Sequence, residues 1–243
     1  MKSLFVLSLV SILFAAQINA QDITDQYRNK ADLIIQTAIE DDEAFEYLTE
    51  FVDTFGHRFS GSESLERSID WIIEDLKSDG IKVWTQPVMV PHWVRGEESA
   101  TMILPREMNL PMLGLGGSVG TPEEGLQAEV VVVQSFEELE DRQDEVSGKI
   151  VLYNVPFTTY GSTVQYRSNG AVRAAALGAV GSLIRSVGPY SMKTPHTGNS
   201  RYQDGIPKIP HAAITTEHAS LIQRMSDRGE KVVVNLKMSA RTL

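Results

Sequence analysis

Apolar positions recur along the chain in two periods, and the period changes partway along it. From 24 to 56 the spacing predicts helix. Ala44, Tyr47, Leu48, Phe51, Val52 and Phe55 fall at three- and four-residue steps on one face, and Gly56 ends the run. After the loop His57 to Ser62, Ser60 and Glu63 have capping-box spacing and open a second helix. Leu65, Ile69, Ile72, Ile73 and Leu76 form its buried stripe and Gly80 its stop. Residues 81 to 90 alternate at Ile81 and Val83 and carry Pro87, the pattern of an edge strand.

From 105 to 127 the periodicity lapses. Pro105, Pro111 and Pro122 with five glycines from Gly114 to Gly125 predict a linker or an irregular crossing. Beyond it, strands and helices alternate. Val130 to Val133 reads as a buried strand, Ser135 and Glu138 as the cap of a helix reaching about 146, and Ile150 to Tyr153 as a strand. An Ala-rich helix at 164 to 177, a strand at Val180 to Ile184, a loop at 186 to 208 and a short strand at Ala212 to Ile214 follow. A helix at 216 to 228, ended by Gly229, and a strand from Lys231 to Met238 complete the series. This interleaving predicts an α/β layer structure.

Composition narrows the class. With 243 residues, one large or two small domains are expected. Acidic residues exceed basic ones by 32 to 22, a net charge of -10, which argues against a nucleic-acid partner. The absence of cysteine removes disulfides and thiolate ligands. Lys2, the apolar run Leu4 to Ala16 and the small residue Ala20 read as a secretory signal peptide over 1 to 20, cut before Gln21. The run is too short to span a bilayer, which takes roughly 20 residues. The expected location is therefore extracellular or luminal, with no membrane span and a fold held by its core.

The residues offer little chemistry by themselves. His57, His92, His196, His211 and His218 show none of the spacings that place two ligands on one element, so each is expected in a loop or at the surface. A dinucleotide reading of Gly114, Gly116, Gly117 and Gly120 fails. It needs glycine where Val119 stands, and Thr121-Pro122 blocks the helix that should follow. Ser60-Gly61-Ser62 is explained by helix capping rather than as a nucleophile. The acidic groups Asp41-Asp42-Glu43, Glu97-Glu98 and Glu137-Glu138 fit solvated helix starts.

Two segments carry a resemblance. Gly56-His57-Arg58-Phe59-Ser60-Gly61-Ser62, with the helix and strand after it, resembles the opening region of secreted zinc exopeptidases that use two cocatalytic zinc ions. The stretch Pro91-His92-Trp93-Val94-Arg95-Gly96-Glu97-Glu98-Ser99-Ala100 is similar to the carboxypeptidase Q family within them, as are Pro195-His196-Thr197-Gly198 and Tyr202-Gln203-Asp204-Gly205-Ile206-Pro207. The resemblance implies a zinc peptidase domain interrupted by a protease-associated α/β insert. Residues 21 to 105 would be the N-terminal helices and first strand of the peptidase domain. Residues 106 to 238 would be the insert, and 239 to 243 the start of an incomplete return.

In such enzymes His, Asp and Glu hold two zinc ions and a further Glu acts as general base on the metal-bound water. The resemblance places all of them after the insert, so no catalytic or metal residue is assigned in this chain, and the substrate-binding residues are unknown. The chain is accordingly expected to bind no zinc and to be inactive alone. The full-length protein would cleave short peptides, as a carboxypeptidase or dipeptidase, in a secreted or lysosomal setting and as a possible homodimer. The alternative is a non-catalytic binding module, whose contacts would lie on the loop Gly188 to Lys208 at Tyr190, His196, Arg201 and Tyr202.

Overall fold

The computed structural model describes residues 23–243, so the proposed signal peptide lies outside the described residues. The described residues divide into two compact units, 23–57 and 58–243. In the first, α1 (23–40) and α2 (Glu43–Phe55) replace the single helix expected. The break has a local cause. Asp41 Oδ1 accepts the Glu43 N–H at 2.8 Å, an Asx-type bond that competes with helix continuation. Tyr47, Phe51 and Phe55 share one half-buried face of α2, with the two Phe rings 5.5 Å apart, while Phe45 and Leu48 are exposed.

The second unit opens with α3 (Glu63–Ser78). Its cap is Ser62, whose Oγ accepts the Leu65 N–H. Ser60 instead donates to the Pro91 carbonyl at 2.8 Å. The strand expected at 81 to 90 does not form. These residues join no ladder, and Trp84, Val88 and Met89 stand exposed. Pro87 removes one ladder donor.

The remainder is one mixed sheet. Its strands are β2 (Glu98–Leu104), β3 (Met108–Asn109), β4 (Met112–Gly114), β5 (Leu126–Val133), β6 (Ile150–Tyr153), β7 (Gly181–Arg185), β8 (His211–Ile214) and β9 (Val233–Met238), in the order β3-β2-β9-β5-β6-β7-β8-β4. Strands β5 to β8 run parallel; α4 (Phe136–Asp141) connects β5 to β6, α5 (Tyr160–Ala176) connects β6 to β7, and the loop 186–210 connects β7 to β8. The other pairings are antiparallel. The fold is therefore α/β, as the alternation of patterns predicts.

Period-two alternation assigns the core to both faces. Val130, Val132, Ile150 and Leu152 pack with Ala219, Ile222 and Met225 of α6 (Thr216–Asp227). Val131, Val133, Val151 and Tyr153 pack with Leu139 of α4 and Ala171, Ala174 and Ala175 of α5. The sheet curls enough that Glu98 of β2 accepts the Gly114 N–H of edge strand β4 at 2.9 Å.

Local expectations change here. The 105 to 127 stretch is no linker, since it contains β3, β4 and the start of β5. Its glycines serve close approach. A Cβ on Gly114 would meet Glu98 Oε2 and Met238 Cε at 2.7 Å, and one on Gly120 the Met238 carbonyl at 2.6 Å. Residues 105 and 106 lie inside the sheet, between β2 and β3. The expected helix to 146 is α4 followed by a 3-10 turn at Gln143–Glu145.

The segments that flank the sheet, just before β2 and just after β9, run beside each other. Strand β1 (Trp93–Val94) pairs antiparallel with β10 (Arg241–Thr242), Trp93 opposite Thr242, and the Leu243 N–H donates to His92 O.

Candidate functional site

The described residues bring no three His, Cys, Asp or Glu side chains together in a way that would hold a metal. The histidines are dispersed. His57 is exposed beyond α2. His92 lies against the backbone of Gly61, where a Cβ would come within 2.8 Å of its ring. His218 sits in the first turn of α6, bonded to Thr215, and burial lowers its pKa. His196 meets the Tyr160 ring edge-on at 5.8 Å. Burial, and then the nearby Arg167, lower its pKa.

His211 departs from the expectation of a loop or surface position. It lies in β8 and is fully buried, with Nδ1 3.2 Å from Ser182 O and Nε2 3.1 Å from Arg167 O. The apolar run starts at Ala212, one residue after His211, whereas β8 itself begins at His211.

The carboxylate groups have structural partners. Glu43 lies in the first turn of α2 after the Asp42 cap, and Glu137 and Glu138 occupy the first turn of α4, as helix-start positions. Glu98 does not. It is half-buried, faces Arg95 at 3.5 Å, and burial raises its pKa against the pull of the Gly114 N–H and Arg95. Arg95 in turn donates to Gly114 O and stacks 5.1 Å from Trp93 and 5.6 Å from Phe59. This cluster ties the start of the sheet unit to its edge strand.

Polar side chains do converge at the carboxyl ends of the parallel strands, where ligands of open α/β sheets commonly bind. Arg185 Nη1 reaches Asn154 Oδ1 at 3.1 Å, Thr216 O at 3.2 Å and Ser220 Oγ at 2.6 Å. Ser191 Oγ accepts the Thr216 N–H at 2.9 Å and lies 3.3 Å from Glu217. Arg167 Nη1 donates to Tyr160 Oη and to Thr197 O. The arrangement presents two guanidinium groups, an amide and several hydroxyls, with Glu217 as the carboxylate beside Ser191.

Of the four loop residues put forward as contacts, Tyr190 is exposed. Tyr202 is structural in part. Its hydroxyl donates to Ile209 O at 2.7 Å and accepts the Val119 N–H at 3.1 Å. Arg201 is exposed, with its backbone N–H on Ser168 O, which fastens the loop to α5.

No family model matches the chain. It is 52% identical over 218 residues to carboxypeptidase Q of Xenopus laevis, covering 88% of this chain and 46% of that one. Among solved structures, a peptidase M28 precursor from Shewanella amazonensis superposes with a TM-score of 0.81 at 33% identity, covering 90% of this chain and 51% of the other. A zinc aminopeptidase from Bacillus subtilis shares the fold at a TM-score of 0.57 and 20% identity, over 81% and 43% of the two chains. Over the part it shares with such relatives, about half of their length, the chain belongs to the carboxypeptidase Q family.

Proposed function

We propose that this chain is the N-terminal part of a secreted or lysosomal zinc exopeptidase that hydrolyses short peptides. The observation that carries the reading is 52% identity to a carboxypeptidase Q over 88% of the chain. In this reading the sheet unit is the protease-associated-like insert and α1 to α3 belong to the peptidase domain. The pairing of β1 with β10 supports an insert, because a module set into a host domain must leave it and return at neighbouring points. In this reading the insert's borders lie near Trp93 and Thr242, outward of the expected 106 and 238.

The Bacillus subtilis neighbour is a zinc aminopeptidase. The described residues of this chain do not fit such a site. Three donors nowhere converge, and the most buried imidazole faces two backbone carbonyls. The ligands of the two ions and the general base are assigned to the rest of the full-length protein, with homodimerisation of that protein part of the same reading. This chain alone is then inactive, and its own contribution is to shape the surroundings of the peptide.

Zinc content and dipeptide turnover test this. They are measured on this chain and on the same chain extended with the remaining half of a matched relative. Zinc and turnover are expected only in the extended protein. Stoichiometric zinc with turnover from this chain alone would overturn the division of labour, and no turnover from either would overturn the peptidase reading.

A further inference from the structure

The sheet unit is polar in charge. Between Lys149 and Glu217 the chain carries six basic residues, Arg167, Arg173, Arg185, Lys193, Arg201 and Lys208, and one acidic residue, Asp204, although acids outnumber bases 32 to 22 overall. This stretch spans β6, α5, β7, the long loop and β8. Folding lays the loop over α5, fixed by the Arg201 N–H to Ser168 O bond at 3.0 Å.

A groove of about 530 Å³ opens between them, within the range of small-ligand sites. Val172, Ala176 and Ile206 give it an apolar floor beside the Tyr202 ring, and Arg173, Arg201, Asn169 and Gln203 supply its polar groups. No carboxylate lines it. Arg173 is held by Glu140 at 3.1 Å and by the face of Phe136 at 4.3 Å. Lys208 stands 5.7 Å from the Tyr202 ring. Arg201 is exposed and makes no ion pair among the described residues, so its guanidinium is available.

We propose that this groove binds a short acidic peptide segment. The two amides each offer a donor and an acceptor, suited to an extended backbone. The guanidinium of Arg201 takes a carboxylate, and the floor takes an apolar side chain. Elsewhere the acidic surface repels such a ligand, so the charge pattern selects the groove as well as attracting to it. This binding needs neither metal nor hydrolysis, so it stands or falls separately from the peptidase reading.

The test uses the full chain and a fluorescein-labelled octapeptide rich in Glu with one central Leu, followed by anisotropy. A twin peptide with Gln for every Glu is run alongside. The Glu peptide is expected to bind with an affinity that falls as salt rises, and the Gln twin to bind at least about tenfold more weakly. R201E should lower affinity about tenfold, whereas R106E, an equal change of net charge in the exposed turn between β2 and β3, should not. Amide hydrogen exchange on the wild-type chain should show protection at 169–176 and 201–206 when the Glu peptide is added. Equal losses in R201E and R106E, equal binding of the two peptides, no binding of the Glu peptide, or protection elsewhere would each overturn the proposal.

Discussion

His211 gives the sharpest test of how the core is built, because two opposed effects act on one ring. Full burial disfavours the imidazolium, and two carbonyl oxygens, on Ser182 and Arg167, favour it. Burial wins: it is the largest influence and pushes the pKa down to about 4, against the partial pull of those carbonyls. The folded value thus lies below the ordinary 6.5. Between about pH 6.5 and 4 the unfolded chain therefore holds a proton that the folded chain does not. The stability contributed is fully present above 6.5 and is lost as pH falls through this window. At about 1.4 kcal/mol per pH unit, the loss is about 2 kcal/mol at pH 5 and about 3 kcal/mol at pH 4. Other groups titrate in the same range, and Glu98, with its raised pKa, works in the opposite direction. The informative quantity is therefore the difference in slope between the wild type and H211Q, which cannot titrate there. Urea unfolding at stepped pH measures it. Parallel curves for the two proteins, or a folded-state imidazole titrating near 6.5 by NMR, would refute the reasoning.

Three further outcomes follow from named contacts. G170A places a Cβ 2.8 Å from Tyr153 Cε2, in a ring whose hydroxyl already donates to Gly170 O, and should cost about 1–3 kcal/mol in urea unfolding. R95A removes the charge facing half-buried Glu98 together with the stack on Trp93 and Phe59, and should lower stability by about 2–4 kcal/mol, with the Glu98 pKa rising further. An unchanged unfolding midpoint in either variant would contradict its prediction. Within 58–243, limited trypsin digestion should cut after Lys82 before it cuts after Lys149, because 81–90 joins no ladder whereas Lys149 precedes central strand β6. A first cut after Lys149 would contradict this.

The second unit was legible wherever a strand was buried on both sides. The runs Val130 to Val133 and Ile150 to Tyr153 have few alternatives, since continuous β-branched and apolar residues suit only a covered strand. The misreadings share a cause: a local pattern without its long-range partner. Residues 81–90 alternate like a strand but have no neighbour to pair with. Residues 105–127 lack alternation, yet β4 forms because β8 supplies a ladder from Met112 to Gly114. Ser60 has cap spacing to Glu63, but Ser62 takes the cap because the Ser60 hydroxyl is used by Pro91, 31 residues away.

The groove shows a different limit. Motif reading tests spacings within one element, whereas Asn169 and Arg173 lie on α5 and Arg201 and Gln203 on a loop that returns only after β7. What sequence does carry is the charge imbalance between Lys149 and Glu217, visible as a count though not as a motif. That imbalance becomes a site only when folding stacks the loop on the helix. Six cations spread over an extended chain would be screened from one another beyond about 10 Å. The backbone bond from Arg201 to Ser168 instead sets the Arg201 guanidinium along the same groove as Arg173. A substitution that weakened the loop's anchor should therefore reduce acidic-peptide binding without removing any charge. Y202F, which loses the hydroxyl bonds to Ile209 and Val119, would do this while leaving the ring in place.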